Sequence, residues 1–137
     1  MTRINVVPVE ELCNSHLYAE FHELTRIPNQ IVSGKMKTFY RDAPTEYTLG
    51  KGHCLFFVHH LGYLKKRYDQ LYDELVKRGY SVTKIFPENL PKYASTLDYE
   101  PTEKALALNR ARIQERMPKN ARWNKVKQGN TDQSSRS

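Results

Sequence analysis

The stretch from Val58 to Arg78 constrains the fold most. Leu61, Leu64, Tyr68, Leu71 and Leu75 recur at intervals of three and four, so they share one face of an α-helix. Tyr72 and Val76 lie beside that stripe, and Lys65, Lys66 and Arg67 are expected on or near the outer face. Gly79 follows Lys77 and Arg78 as a stop signal, because glycine adopts the left-handed conformation that ends helices and cations favour the last turn. Such a helix must bury its stripe against other apolar surfaces, and two further segments offer them. Asn14 or Ser15 can cap a helix reaching Val32, with Leu17, Phe21, Leu24 and Ile31 at helical spacing. Pro28 interrupts it, at a cost of about 3 kcal/mol in a helix interior, so a kink or break is expected near Arg26 to Pro28. A third helix opens at Pro101-Thr102-Glu103 and ends before Pro118, with Leu106, Ile113 and Met117 on one stripe. Ser33 to Gly52 and Tyr80 to Tyr99 read as connections punctuated by glycine and proline. The fold class is therefore all-α: a compact single domain, 1–129, of three main helices with long loops. The small polar residues 130–137 form a tail expected to be disordered.

Composition narrows the function. The longest apolar run, Cys54 to Val58, is far too short to span a membrane. No leader pattern precedes Glu10 and Glu11, so the protein is expected inside the cell, in the cytoplasm or a eukaryotic host's nucleus, and not secreted. Cys13 and Cys54 are too few for a disulfide framework and read as reduced, partly buried thiols. His53 beside Cys54, and the His59-His60 pair, lack CxxC or HxxxH spacing, so no metal site is expected. Lys plus Arg number 22 against 15 for Asp plus Glu, and a net charge of +7 suits a polyanionic partner. The charge is also unevenly placed. Residues 1–25 hold one basic residue, Arg3, and four acidic ones, whereas Arg110 to Lys127 hold seven basic residues and only Glu115. That asymmetry fits a phosphate grip plus a separate carboxylate site; a solvated basic helix and tail would look similar. His16, Glu20 and Glu23 share a stripe on the first helix, and Arg112 and Arg116, four apart, point the same way on the third.

An ordered set of residues carries a family resemblance along nearly the whole chain. It begins with Met1-Thr2-Arg3-Ile4-Asn5, Glu11-Leu12, His16-Leu17, Ala19-Glu20-Phe21, Glu23-Leu24 and Arg26. It resumes at Leu49-Gly50, Gly52-His53, Phe56-Phe57, Leu61, Leu64-Lys65-Lys66-Arg67 and Lys77-Arg78-Gly79, after a short deletion between Arg26 and His53. It closes at Pro101, Glu103-Lys104-Ala105, Ala111-Arg112-Ile113 and Arg116. The set resembles the viral pyrimidine-dimer DNA glycosylase family with abasic-site lyase activity, the endonuclease V type of large phages and algal viruses. The resemblance implies removal of Met1 and attack by the α-amine of Thr2 on C1′ of the damaged nucleotide, leaving an imine. β-Elimination then cuts the strand. An α-amine suits this role because it titrates near roughly 7.7–8.0, against about 10.4 for lysine. The resemblance makes Glu23 the carboxylate that stabilises charge on the sugar and moves protons. It gives Arg3, Arg26, Arg112 and Arg116 phosphate and sugar contacts. The implied substrate is double-stranded DNA containing damaged bases, with the base opposite the dimer flipped out. No metal, nucleotide or other cofactor is implied, and no obligatory protein partner; a monomer is expected.

Three departures bear on lesion preference. His22 stands where arginine is usual beside the catalytic glutamate, so its charge depends on pH. Thr25 and Pro28 fall in a segment that is otherwise uninterrupted and make the position of Arg26 less definite. The family's aromatic carboxyl end is echoed only by Arg122-Trp123-Asn124-Lys125, where Trp123 and Lys125 are candidate DNA contacts and Trp123 can equally fill the core. Two other readings stand beside the first: the same chemistry on another damaged or modified base, and a non-catalytic basic DNA-binding protein. Binding alone needs neither Thr2 nor Glu23.

Overall fold

The computed structural model describes residues 4–36, 43–90 and 97–123. Two 3₁₀ turns, Val9–Glu11 and Gly50–Gly52, and five helices occur in them: α1 Asn14–Leu24, α2 Arg26–Val32, α3 His53–Val58, α4 Leu61–Lys77 and α5 Glu103–Glu115. There is no strand among the described residues, so the chain is all-α. The three longest helices, α1, α4 and α5, correspond to the three expected from periodicity.

Helix α4 buries the stripe that defines it: Leu61, Leu64, Tyr68, Leu71 and Leu75 are at most 2% exposed. Its apolar face meets α1, where Leu17, Phe21 and Leu24 are equally buried and the rings of Phe21 and Tyr68 stack with centroids 4.7 Å apart. Arg67 departs from expectation. It is buried rather than outward-facing, because it lies three residues after Leu64 and four before Leu71, on the apolar stripe itself. At the carboxyl end Gly79 has φ 95°, and Tyr80 N–H donates to Leu75 O while Gly79 N–H donates to Val76 O. This pair of bonds closes the last turn in a Schellman motif.

The first predicted helix is two helices. The proline ring of Pro28 would crowd the carbonyl four residues back, which belongs to Leu24, and α1 ends there. Pro28 then falls in the first turn of α2, where a missing N–H costs nothing. Cys13, not Asn14 or Ser15, holds the capping position. Asn14 is the first helical residue, and its side chain accepts a hydrogen bond from Arg78 at 3.0 Å. The second predicted helix also divides, into α3 and α4. The ring of His60 bonds the Phe56 carbonyl at 2.8 Å, satisfying a group orphaned at the end of α3, and His60 leaves the helical conformation. Helix α5 starts where Thr102 Oγ1 accepts from Ala105 N–H at 3.0 Å. Its buried positions are Ala105 and Asn109; Leu106, Ile113 and Met117 are only partly covered.

The chain preceding α1 is the least conventional part of the core. Ile4, Asn5, Val6 and Val7 are all buried, in a segment that is neither helix nor strand. Among the described residues no helix is long and apolar enough to cross a membrane. Cys13 and Cys54 are both free thiols, the first buried and the second partly so.

Candidate active site

A buried backbone without a strand partner must have its polar groups satisfied by side chains. Here α3, α4, α5 and the loop before α3 supply them. Ile4 N–H donates to His53 Nε2 at 2.8 Å, and Tyr47 OH donates to Ile4 O at 3.0 Å. Tyr63 OH donates to Asn5 O at 3.4 Å. Asn109 Oδ1 accepts from Val6 N–H at 2.6 Å and from Val7 N–H at 3.2 Å, and the Arg67 guanidinium donates to Val7 O. The Asn5 side chain completes the grip, accepting from Asn109 Nδ2 at 2.8 Å and donating to Glu20 Oε1 at 2.8 Å.

Glu20 is the centre of this network. Its Oε2 accepts from Arg67 Nε at 2.8 Å, and its Oε1 accepts from Arg67 Nη2 at 3.1 Å. Both side chains are at most 2% exposed. Burial works against the Arg67 cation, but the adjacent Glu20 carboxylate outweighs it and holds the guanidinium above its ordinary range. Burial also pushes the Tyr63 hydroxyl well above its ordinary value, so it remains a donor.

One turn further along α1, Glu23 is half-buried and lines a cavity of about 270 Å³. Asn5, His16, Ala19 and Glu20 line it from the amino-terminal segment and α1, and Arg112, Ile113 and Arg116 from the end of α5. The ring of His16 bonds the Arg116 carbonyl at 3.2 Å and ties the two walls together. That volume lies just below the roughly 300–1,000 Å³ typical of small-ligand sites. The stripe of His16, Glu20 and Glu23 thus does converge on one place, but Glu20 is committed to Arg67 and Asn5. Glu23 and the Arg112–Arg116 pair give the cavity one carboxylate outside the Glu20–Arg67 ion pair and two cations.

The other predicted residues lie around this cavity or apart from it. His22 is exposed, one residue from Glu23, with its ring edge-on to Tyr18 at 4.3 Å and to Phe21 at 5.3 Å. Arg26 is exposed just past the α1–α2 break, close enough to Cys54 to offset part of the burial that raises that thiol's pKa. Trp123 does not fill the core: it is 45% exposed, and its Nε1–H donates to Glu11 O at 2.9 Å. Thr2, Arg3 and Lys125 lie outside the described residues. No group of three or more potential metal ligands occurs among the described residues. Sequence reasoning gave no role to Asn109 or Arg67. A polar residue inside an apolar stripe was the available signal for Arg67.

A family model described as pyrimidine dimer DNA glycosylase matches residues 1–88, about two thirds of the 137-residue chain. The chain belongs to that family. Membership brings a DNA glycosylase activity and a DNA substrate. The match takes in the amino-terminal segment, Glu20, Glu23, His53 and Arg67. It stops short of α5, so the helix that supplies Asn109, Arg112 and Arg116 to the glycosylase lies beyond the matched span.

Proposed function

We propose that the protein cleaves the glycosidic bond at cyclobutane pyrimidine dimers in duplex DNA and then cuts the strand as an abasic-site lyase. In this reading the α-amine of Thr2, exposed when Met1 is removed, attacks C1′. The bond to the base breaks and its electron pair leaves with the base. The C1′–O4′ bond then opens, the amine gives up a proton and O4′ takes one, leaving the imine; the imine makes the C2′ proton acidic, and its removal expels the 3′ phosphate and cuts the strand. Glu23 stabilises the cationic sugar and carries the protons. Arg112 and Arg116 hold phosphates beside the cavity, with Arg3, His22, Arg26, Trp123 and Lys125 as further DNA contacts. The duplex must open at the lesion for the amine to reach C1′, and a dimer already weakens stacking there.

One observation carries the reading: the buried, side-chain-gripped segment Ile4–Val7 brings Asn5 to the same cavity wall as Glu23. A binding protein has no need to grip residues 4–7 beside a carboxylate-bearing cavity. Covalent geometry limits the Thr2 nitrogen to about 7 Å from the Ile4 nitrogen, at roughly 3.6 Å per residue.

Borohydride trapping on three matched duplexes tests the proposal: one with a thymine dimer, one with an abasic site, one undamaged. Covalent adducts on the first two only, linked through Thr2 by mass spectrometry, are expected. Glu23→Gln should lower the single-turnover cutting rate by about 10²- to 10⁴-fold while leaving duplex affinity near wild type. An adduct on the abasic duplex alone would move the base specificity away from dimers. No adduct on any duplex, from protein lacking Met1, would overturn the enzyme mechanism.

A further inference from the structure

His53 and Tyr47 bracket a single residue, Ile4. His53 Nε2 accepts the Ile4 N–H, so the ring proton sits on Nδ1 and is donated to Thr48 O at 2.9 Å. Tyr47 OH donates to Ile4 O, and the two rings meet edge-on with centroids 5.5 Å apart. His53 and Tyr47 are both buried, and neither lines the Glu23 cavity. The arrangement depends on close packing of the loop before α3. A Cβ on Gly52 would come within 2.5 Å of Pro44 Cγ and 3.1 Å of Thr48 Cγ2. The bare glycine lets that loop lie close enough for Thr48 O to reach His53. The bonds to Asn109, Arg67 and Glu20 hold residues 5–7, further along the chain from Thr2. The His53–Tyr47 bracket holds the described residue nearest to Thr2 in sequence.

We propose that His53 and Tyr47 are positioning residues for the reacting amine, acting through the Ile4 peptide groups to set where Thr2 can reach relative to Glu23. The inference rests on Thr2 being the nucleophile. Such residues act on the chemical step rather than on DNA affinity, because a displacement of about 1 Å can cost about a hundredfold in rate. His53 serves as a neutral acceptor here. A side chain that keeps an acceptor at the same reach should replace it in part, and one that does not should fail.

The experiment measures single-turnover imine trapping on an abasic-site duplex, with duplex affinity measured separately without borohydride, for wild type, Tyr47→Phe, His53→Leu and His53→Gln. His53→Leu is expected to trap about ten- to a hundredfold more slowly and Tyr47→Phe also more slowly, with affinity within about twofold of wild type. His53→Gln should recover most of the rate. If His53→Leu does not fold, Tyr47→Phe, which loses only a hydroxyl, decides alone. Wild-type trapping rates in the variants, a rate loss matched by lost affinity, or no recovery in His53→Gln would overturn the positioning role. Absence of any wild-type adduct would instead overturn the nucleophile assignment, and the positioning role with it.

Discussion

Two glutamates one turn apart on α1 show how environment divides roles. Both oxygens of Glu20 are taken by Arg67 and Asn5, whereas Glu23 stands half-buried at the cavity. The same logic sorts the basic stretch of α5. Arg110 is engaged by Glu11, with Nη2–Oε2 at 2.6 Å and Nε–Oε1 at 3.0 Å; Arg112 lines the cavity with Arg116 while also pairing with Glu115 at 3.5 Å. The hydrogen bonds from Arg110, aided by its charge and opposed by partial burial, hold the Glu11 carboxyl below its ordinary value of 4.5. A carboxyl with a lowered folded-state pKa stabilises the fold above the unfolded value. That contribution fades as pH falls through the lower folded value. Arg110→Gln should therefore return the Glu11 titration, followed by carbon NMR of its carboxyl, to near 4.5, and should leave strand cutting unchanged. An unaltered Glu11 midpoint would mean that Arg110 is not what lowers it.

At the scale of elements, legibility in the sequence followed length and period. The α4 stripe repeats through 17 residues, so its face and its glycine stop could both be read. Helix α3 has six residues, HCLFFV, too few and too uniformly apolar for a period to emerge, and it merged with α4 in the sequence reading. The Ile4–Val7 segment carries no periodic signal because its partners are side chains 15 to 104 positions away. Arg67 occupied a stripe position in plain view, yet its burial makes sense only once Glu20, 47 positions distant, is beside it. The catalytic assignment of Glu23 came from resemblance; spacing alone could not separate it from Glu20. The glycine stop is open to direct test. With φ at 95°, Gly79 sits where an L side chain is strained, so Gly79→Ala should cost about 1–2 kcal/mol in urea denaturation. A smaller loss would mean that the turn rearranges without left-handed geometry.

For the whole molecule, the Glu20–Arg67 pair joins α1, α4 and the amino-terminal segment at one buried point. An ion pair in this setting gains little over apolar packing, but removing one partner strands a charge. Glu20→Leu or Arg67→Met alone should therefore lose about 3–5 kcal/mol of unfolding free energy. The double variant removes both charges, and a simple pair replaced in this way is often neutral. Here the outcome should differ, because the pair also serves other groups: Asn5 Nδ2 donates to Glu20, and Val7 O accepts from Arg67. The double variant leaves those two buried groups without these partners, at about 1–3 kcal/mol each when nothing replaces them. It should thus remain below wild type, as measured by urea unfolding of all four proteins. Single variants within about 1 kcal/mol of wild type would contradict the buried pairing itself. A double variant fully as stable as wild type would show that Asn5 and Val7 find other partners. In that case the amino-terminal segment keeps its place without the ion pair, and imine trapping by the double variant should proceed at the wild-type rate.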